Sequence, residues 1–402
     1  MRKLIALMIM SVIVFTTHGQ WNQQTSGTTK VLSEVFFSNQ DTGYVVGENI
    51  ILKSVDGGTT WQSSYSGNFL LEEVYFSNLK NGFAVGYNIS ANKSTVIRTT
   101  DAGANWTMKN FTTTSFLNDI YFVNSDTGFI VGTDGSAFKT IDSGNTWDTL
   151  NTGTTDNLQA VFFTDNQNGI IVGGTPIAPL ILKTIDGGSN WNVISSPATD
   201  FLRGVFFPSI SVGYAVGWNG EIIKTIDGGN NWSTQSSVAN YGNLDVFFID
   251  DSIGYIVGGQ PSTAGIQKTT DGGQNWNSQT TTANQGLIGV FFPTTNTGYS
   301  VGDRGTILKI NDNNISGLPN YISSIEVSMY PNPFIREISI SVLNEPSKKI
   351  RLNIYDLNGK SVFQSYDYET DHAIDLSNLN SGTYILIAVI DDIKITKRLI
   401  KG

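Results

Sequence analysis

Cysteine is absent from all 402 residues of the chain. Disulfides, thiolate catalysis and a lipid-modified N-terminal cysteine are excluded together. Histidine is almost as scarce: His18 and His372 both lie outside residues 21–310. That long middle stretch therefore has no His-based triad and no His-based zinc site. Charge is sparse and one-sided, with 13 Lys plus Arg against 23 Asp plus Glu in residues 21–310, a net of −10. An acidic surface without a basic stripe argues against nucleic acid and anionic lipid as partners. No apolar run long enough to span a membrane occurs anywhere, and the first residues come nearest.

What is there begins with that N-terminus. Arg2 and Lys3 precede an apolar run over residues 4–15, followed by Thr17 and Gly19. This is the pattern of a secretory signal peptide, assigned to residues 1–19. Its apolar core is shorter than the roughly twenty residues that a membrane helix needs. Beyond it, 42 glycines and many Thr, Asn and Val positions describe short strands joined by tight turns, with no long helix expected.

Internal repetition is the strongest signal. One strand ends in Phe at Phe37, Phe76, Phe122, Phe163, Phe207, Phe248 and Phe292. A Gly-aromatic-x-Val-Gly strand, or its variant, follows each and ends ten residues later, at Gly47, Gly86, Gly132, Gly173, Gly217, Gly258 and Gly302. A third landmark, ILKTxDGGxxW, ends at Trp61, Trp106, Trp147, Trp191, Trp232 and Trp276, six times and not seven. The missing copy is at the other end: Trp21 lies 16 residues before Phe37, and the later Trp-to-Phe intervals are 15 or 16. The first strand of the mature chain is thus expected to complete the last repeat and close a ring of seven four-stranded blades over residues 20–310, an all-β propeller. An open solenoid would need caps and has no use for that displaced strand.

The hairpin Ser/Thr-x-Asp-x-Gly-x-x-Trp resembles the Asp-box of sialidases, sortilin-type receptors and the photosystem II assembly-factor family. The full three-landmark pattern resembles the last of these most. Asp56, Asp101, Asp142, Asp186, Asp227 and Asp271 are read as structural: a carboxylate at the head of a Gly-Gly turn can accept the turn's own N–H groups, while the Trp packs between blades. Six equivalent carboxylates around a ring do not face one substrate in pairs. The resemblance to sialidases stops at the hairpins, because their Phe/Tyr-Arg-Ile-Pro motif is absent and Arg98, Arg203 and Arg304 occupy three different repeat positions. Xyloglucan-cleaving relatives need two propellers, and here there is one.

Function is expected on the opposite face. From the last Gly of the second landmark to the Trp the intervals are 14, 20, 15, 18, 15 and 18 residues, so length varies in the connection between second and third strands. Its long versions cover residues 87–95, 174–180 and 259–265. Ser33, Glu72, Asn118, Gln159 and Arg203, at the starts of innermost strands, are candidates to ring the channel mouth. Trp218 and Arg304, in short connections on that face, complete the candidate ligand-binding set. No catalytic, metal-ligating or cofactor-binding residue is assigned. The leading reading is a secreted or surface-attached binding propeller for a carbohydrate, peptide or protein, expected to be a monomer. The alternative is a glycoside hydrolase with a carboxylate pair on the same face.

Residues 311–325, without Lys or Arg, read as a linker. Residues 326–402 change style, with strand patterns at 337–342, 350–357 and 384–390 and turns at Asn358-Gly359 and Ser381-Gly382, as in a small sandwich. YPNPF at 330–334, YDLNGK at 355–360, LSNLNSGTYIL at 376–386 and KITKRLIK at 394–401 together resemble the type A sorting domain of the type IX secretion system of Bacteroidetes. The resemblance implies handling by that secretion machinery, passage across the outer membrane and removal of the domain, with attachment to the surface or release. Photosystem assembly is not carried over from the propeller family.

Overall fold

The computed structural model describes residues 20–312, 327–330, 336–342, 349–356, 360–370, 372–390 and 393–401. The signal peptide at 1–19, most of the linker at 311–325 and most of the YPNPF motif lie outside the described residues. Contacts divide the chain between Ile322 and Ser323 into two units.

The first unit is the propeller. Blades three to six are separate four-stranded antiparallel sheets, each made from consecutive strands. Blades one and two share long strands. Gly43–Ser54 holds both the second and third strand of blade one, turning at Asn49, whose φ is +64°, so that Lys53 Nζ comes back to 5.7 Å from the Tyr44 ring. Gln62–Phe76 likewise pairs first within blade one and then with Gly82–Asn88 of blade two.

Closure falls where the repeat count placed it. Asn22–Gln24 pairs antiparallel with Thr306–Asn311, matching Asn22 to Lys309, Gln23 to Leu308 and Gln24 to Ile307. Trp21, fully buried, meets Phe292 of blade seven and Tyr255 of blade six edge-on, each at 5.9 Å. Trp106 sits in the same way against Phe76 of its own blade and Tyr44 of the blade before. The ring is therefore cemented by a repeating aromatic contact between blades, and the N-terminal segment supplies the seventh. Each Phe that ends an innermost strand lies flat against a glycine: a Cβ on Gly43 would stand 2.5 Å from the Phe37 ring, and one on Gly82 would stand 2.4 Å from Phe76. This close approach is why Gly opens every second strand.

The three long connections are not loose loops. Residues 174–180 continue a ladder, with Gly174 opposite Pro179 and Thr175 opposite Ala178, and residues 259–265 do the same down to Gln260 opposite Thr263. In blade two the ladder runs to Asn88 opposite Lys93. The extra residues thus raise hairpins in blades two, four and six. Short turns remain in blades three, five and seven.

The second unit has two antiparallel sheets. One joins Val327–Tyr330, Glu337–Val342 and Ala373–Asp375; the other orders Ser361–Glu369, Lys349–Asp356, Gly382–Ile390 and Ile393–Lys401. Ile338, Ile340, Leu352, Ile354 and Leu386 are buried between them, as alternating strands with one dry face require. Among the described residues no helix is long and apolar enough to cross a membrane.

Candidate functional site

Every innermost strand carries a β-bulge near its start. Pairing with the second strand slips between Leu32 and Glu34, and at the equivalent place in all seven blades. A bulge adds one residue to one strand and breaks the alternation of sides. Here it brings two successive residues of each blade to the channel, in two layers.

The outer layer contains the expected residues. Ser33, Glu72, Asn118, Gln159 and Arg203 line one cavity of about 170 Å³, room for on the order of ten waters. Arg203 Nη1 donates to Gln159 Oε1 at 2.7 Å, and Asn118 Nδ2 donates to the Leu158 carbonyl at 2.8 Å. Leu244 and, beside it, Ile288 complete the lining from blades six and seven. The mouth is accordingly lopsided, with a polar arc over blades one to five and an apolar arc over the last two.

The sequence reading missed the inner layer. It holds Glu34, Glu73, Asp119 and Asp245, with Ala160, Gly204 and Gly289 at the other three positions. Glu34 and Glu73 each accept the following residue's N–H, from Val35 at 2.8 Å and Val74 at 3.0 Å. Asp119 reaches into blade four for Val161 N–H at 2.7 Å, and Asp245 reaches into blade seven for Val290 N–H at 2.8 Å. Glu34 fills the space left by Gly289, where a Cβ would stand 2.6 Å from its carboxylate.

These carboxyls are partly buried within the channel wall, and lost hydration dominates their titration. Burial pushes Asp119 and Asp245 up to about 7. Glu34 and Glu73 are raised well above the usual carboxylate range, by burial first and then by the like charges across the channel. Glu72 is raised by burial, against the opposing pull of Arg203, and burial lowers Arg203 in turn. Among the described residues no three acidic or His side chains converge to hold a metal ion. The four are spread round the ring, not gathered about a point.

Below them the channel is closed in by aromatics. Phe36, Tyr75, Tyr121, Phe162, Phe206, Phe247 and Phe291 line it, one per blade. Each touches the next, with centroids 4.9–5.6 Å apart, and Phe291 returns to Phe36 at 5.0 Å. Trp218 and Arg304 do not line the channel. They stand on the short turns Trp218–Gly220 and Asp303–Gly305, and Arg304 borders a surface depression with residues 23–29. Trp218 is 48% exposed, and its backbone N–H donates to the carbonyl of Phe201, two residues before Arg203.

On the other face the Asp-box aspartates are satisfied within their own hairpins. Asp142 Oδ1 accepts from Thr140 Oγ1 at 2.8 Å and Thr146 N at 2.8 Å, and Oδ2 accepts from Thr146 Oγ1 at 2.6 Å. Asp56, Asp101, Asp186, Asp227 and Asp271 repeat this arrangement, with Ser54 or Thr before and Thr60 or Asn after. Hydrogen bonds to the ionised form hold Asp56, Asp101, Asp142, Asp186 and Asp227 down at about 2.

A second feature outside the initial reading links the blades. The Lys of ILKT reaches forward to the next hairpin, as from Lys53 to the Ala102 carbonyl at 2.6 Å, Lys139 to Gly187 at 2.7 Å and Lys224 to Gly272 at 2.7 Å. Lys183 reaches Gly228, Arg98 takes the role in blade two on Asn145 Oδ1, and Lys309 closes the circuit on Gly57. Blade seven has no Asp-box hairpin. There Lys268 instead meets Asp312 Oδ2 at 2.6 Å, with both side chains buried. Asp312 stands three residues after Lys309, as Asp56 does after Lys53.

The family described as photosynthesis system II assembly factor YCF48 matches residues 14–111, 102–199 and 234–311. Most of blade five, with Arg203 and Trp218, falls between the second and third segments. The family described as secretion system C-terminal sorting domain matches residues 328–402. No curated protein matches the chain in sequence. Among solved structures, YCF48 bound to D1 peptide is 18% identical with a TM-score of 0.61, covering 74% of this chain and 96% of its own. YCF48 from Cyanidioschyzon merolae is 20% identical with a TM-score of 0.61, covering 74% and 100%. The WD40 β-propeller domain of Doa1 is 11% identical with a TM-score of 0.59, covering 74% and 98%. At such identities the structural likeness speaks for the fold alone, whereas the sequence match spans more than half of the residues. The chain belongs to the photosynthesis system II assembly factor YCF48 family and carries behind its propeller a type IX secretion sorting domain, which marks it for export to the cell surface or beyond.

Proposed function

We propose that this exported propeller binds an extended polypeptide segment on the face with the raised hairpins of blades two, four and six, seating one side chain in the channel mouth. The observation that carries the reading is the lopsided mouth: Ser33, Glu72, Asn118, Gln159 and Arg203 offer hydrogen bonds on one side, and Leu244 with Ile288 offers an apolar wall on the other. A ligand with both characters along a few ångströms suits it, as a peptide has. Blade five supplies the approach. Its short turn lies between the raised hairpins of blades four and six, with half-exposed Trp218 as an apolar platform leading to Arg203. A similar propeller, YCF48, has been solved bound to D1 peptide, which supports a peptide over a glycan.

Glycoside hydrolysis is the weaker reading, because the four acidic residues that the blades bring together, Glu34, Glu73, Asp119 and Asp245, lie inside the channel behind the mouth. After removal of the sorting domain the working protein is little more than the propeller, held at the surface or released. The test is a peptide array run beside a glycan array, followed by calorimetry with the best peptide. Arg203→Ala and Trp218→Ala should each weaken binding by about tenfold or more, the size of a hot-spot loss. Wild-type affinity in both variants, or binding of glycans alone, would remove the proposal.

A further inference from the structure

The face carrying the Asp-box hairpins has a property that neither the core nor the channel requires. In each hairpin the residue just before the Asp points to solvent: Val55, Ile141, Ile185 and Ile226 are 66–74% exposed, and Thr100 and Thr270 are exposed at the same place in blades two and six. Blade five adds Ile210, 71% exposed, in the turn between its first and second strands. That turn adjoins its hairpin, since Gly228 N–H donates to the Ser211 carbonyl at 2.8 Å. Exposed β-branched apolar residues recurring at one repeat position in four of the seven blades are not the scatter of single residues that any surface shows.

Val55, Ile141, Ile185 and Ile226 are each followed by an aspartate whose hydrogen bonds keep it ionised. The turns between first and second strands add Asp41, Asp126, Asp165, Asp250 and Asp251, with Lys80 their single basic residue. The lysines of the ILKT strands do not offset this at the surface, because their ammonium groups are spent beneath the hairpins on carbonyl groups.

We propose that this face is a docking surface for a second polypeptide, distinct from the channel ligand, that presents apolar side chains among basic ones. Charge selects the occupant. A second copy of the propeller would set one acidic crown against another, and a membrane rich in phosphate would be repelled in the same way. A basic apolar strand or helix meets both the Ile/Val positions and the carboxylates between them.

The test uses the full chain and two synthetic peptides, one alternating Lys with Leu and one alternating Glu with Leu, measured by fluorescence anisotropy. The variant carries Val55→Thr, Ile141→Thr, Ile185→Thr and Ile226→Thr together, a change that the hairpins already accommodate at Thr100 and Thr270. The Lys–Leu peptide should bind, weaken as salt is raised, and lose about tenfold or more in the variant, while the Glu–Leu peptide should not bind. Arg203→Ala should leave the Lys–Leu peptide unaffected, which separates this surface from the channel mouth. Equal binding by the Thr variant, equal binding of the acidic peptide, or loss of binding in Arg203→Ala would overturn the proposal. So would a dimer of the full chain that the Thr variant dissociates.

Discussion

The hairpin aspartates and the channel carboxylates are the same chemical group, set 22 to 28 residues apart in the four blades that carry both, and the propeller drives them in opposite directions. Asp142 is held at about 2 by three hydrogen bonds at an exposed turn, and Asp119 is pushed to about 7 by burial that its single interblade hydrogen bond does not offset. Exposure is what separates them: donors cost nothing to meet at a wet surface, whereas inside the channel the lost hydration outweighs them. Asp312 is the instructive third case. It holds the register of a hairpin aspartate and the burial of a channel one, and it has a lysine to itself.

The Lys268–Asp312 pair should be the costliest of these contacts to break. Lys268→Met keeps the bulk of the stem but leaves Asp312 buried without its cation, and such a break costs about 3–5 kcal/mol. Urea unfolding of the propeller would measure it, and Lys224→Met, whose partner is a carbonyl, should cost clearly less. Equal losses would mean that the staple acts through its stem and not its charge.

In the channel the sign reverses. Asp119→Asn removes a charge that folding penalises, so near pH 8 the variant should be more stable by on the order of 2–4 kcal/mol. Its folded pKa is raised, so the penalty is absent below about pH 4, grows through the interval to about 7, and is full above it. The gain should therefore shrink steadily as the pH is lowered. Since the channel carboxyls interact, the ring titrates as a unit, and a gain that stays constant with pH would break the comparison.

How much of this was legible differs between the two sets. The hairpin aspartates stand out because the turn places them at a fixed distance from Gly and Trp, and local chemistry suffices to read them. The closing strand was legible too, since Trp21 keeps its spacing to Phe37. The inner carboxylates were not, because a bulge has no period: strict alternation puts Ser33 and Glu34 on opposite sides, and only the slipped pairing between Leu32 and Glu34 lets both successive residues face the channel. A signal was nevertheless present in the four acidic residues at one repeat position, each just before Val or Ile. The stapling lysines were in plain view within ILKT, but their partners lie one blade ahead, and spacing along the chain does not reveal contacts across it. Likewise the length of residues 174–180 says nothing of whether they pair.

Asp142→Asn retains the shape of the hairpin while exchanging charge-assisted hydrogen bonds for neutral ones, so a modest fall in melting temperature is expected near neutral pH. The folded pKa is lowered here, so the aspartate's contribution is complete above about pH 4 and fades as the pH falls towards 2. The variant and the parent should thus converge in acid, as the channel variant does, but from the less stable side and over a lower pH range. Taken with Asp119, this places the parent's greatest stability in mildly acidic solution, about pH 4–6, where hairpin aspartates are ionised and channel carboxyls are still protonated. Thermal melts across pH 3–9 would test it, and an optimum at about pH 8 would mean that water or a bound cation relieves the channel charges.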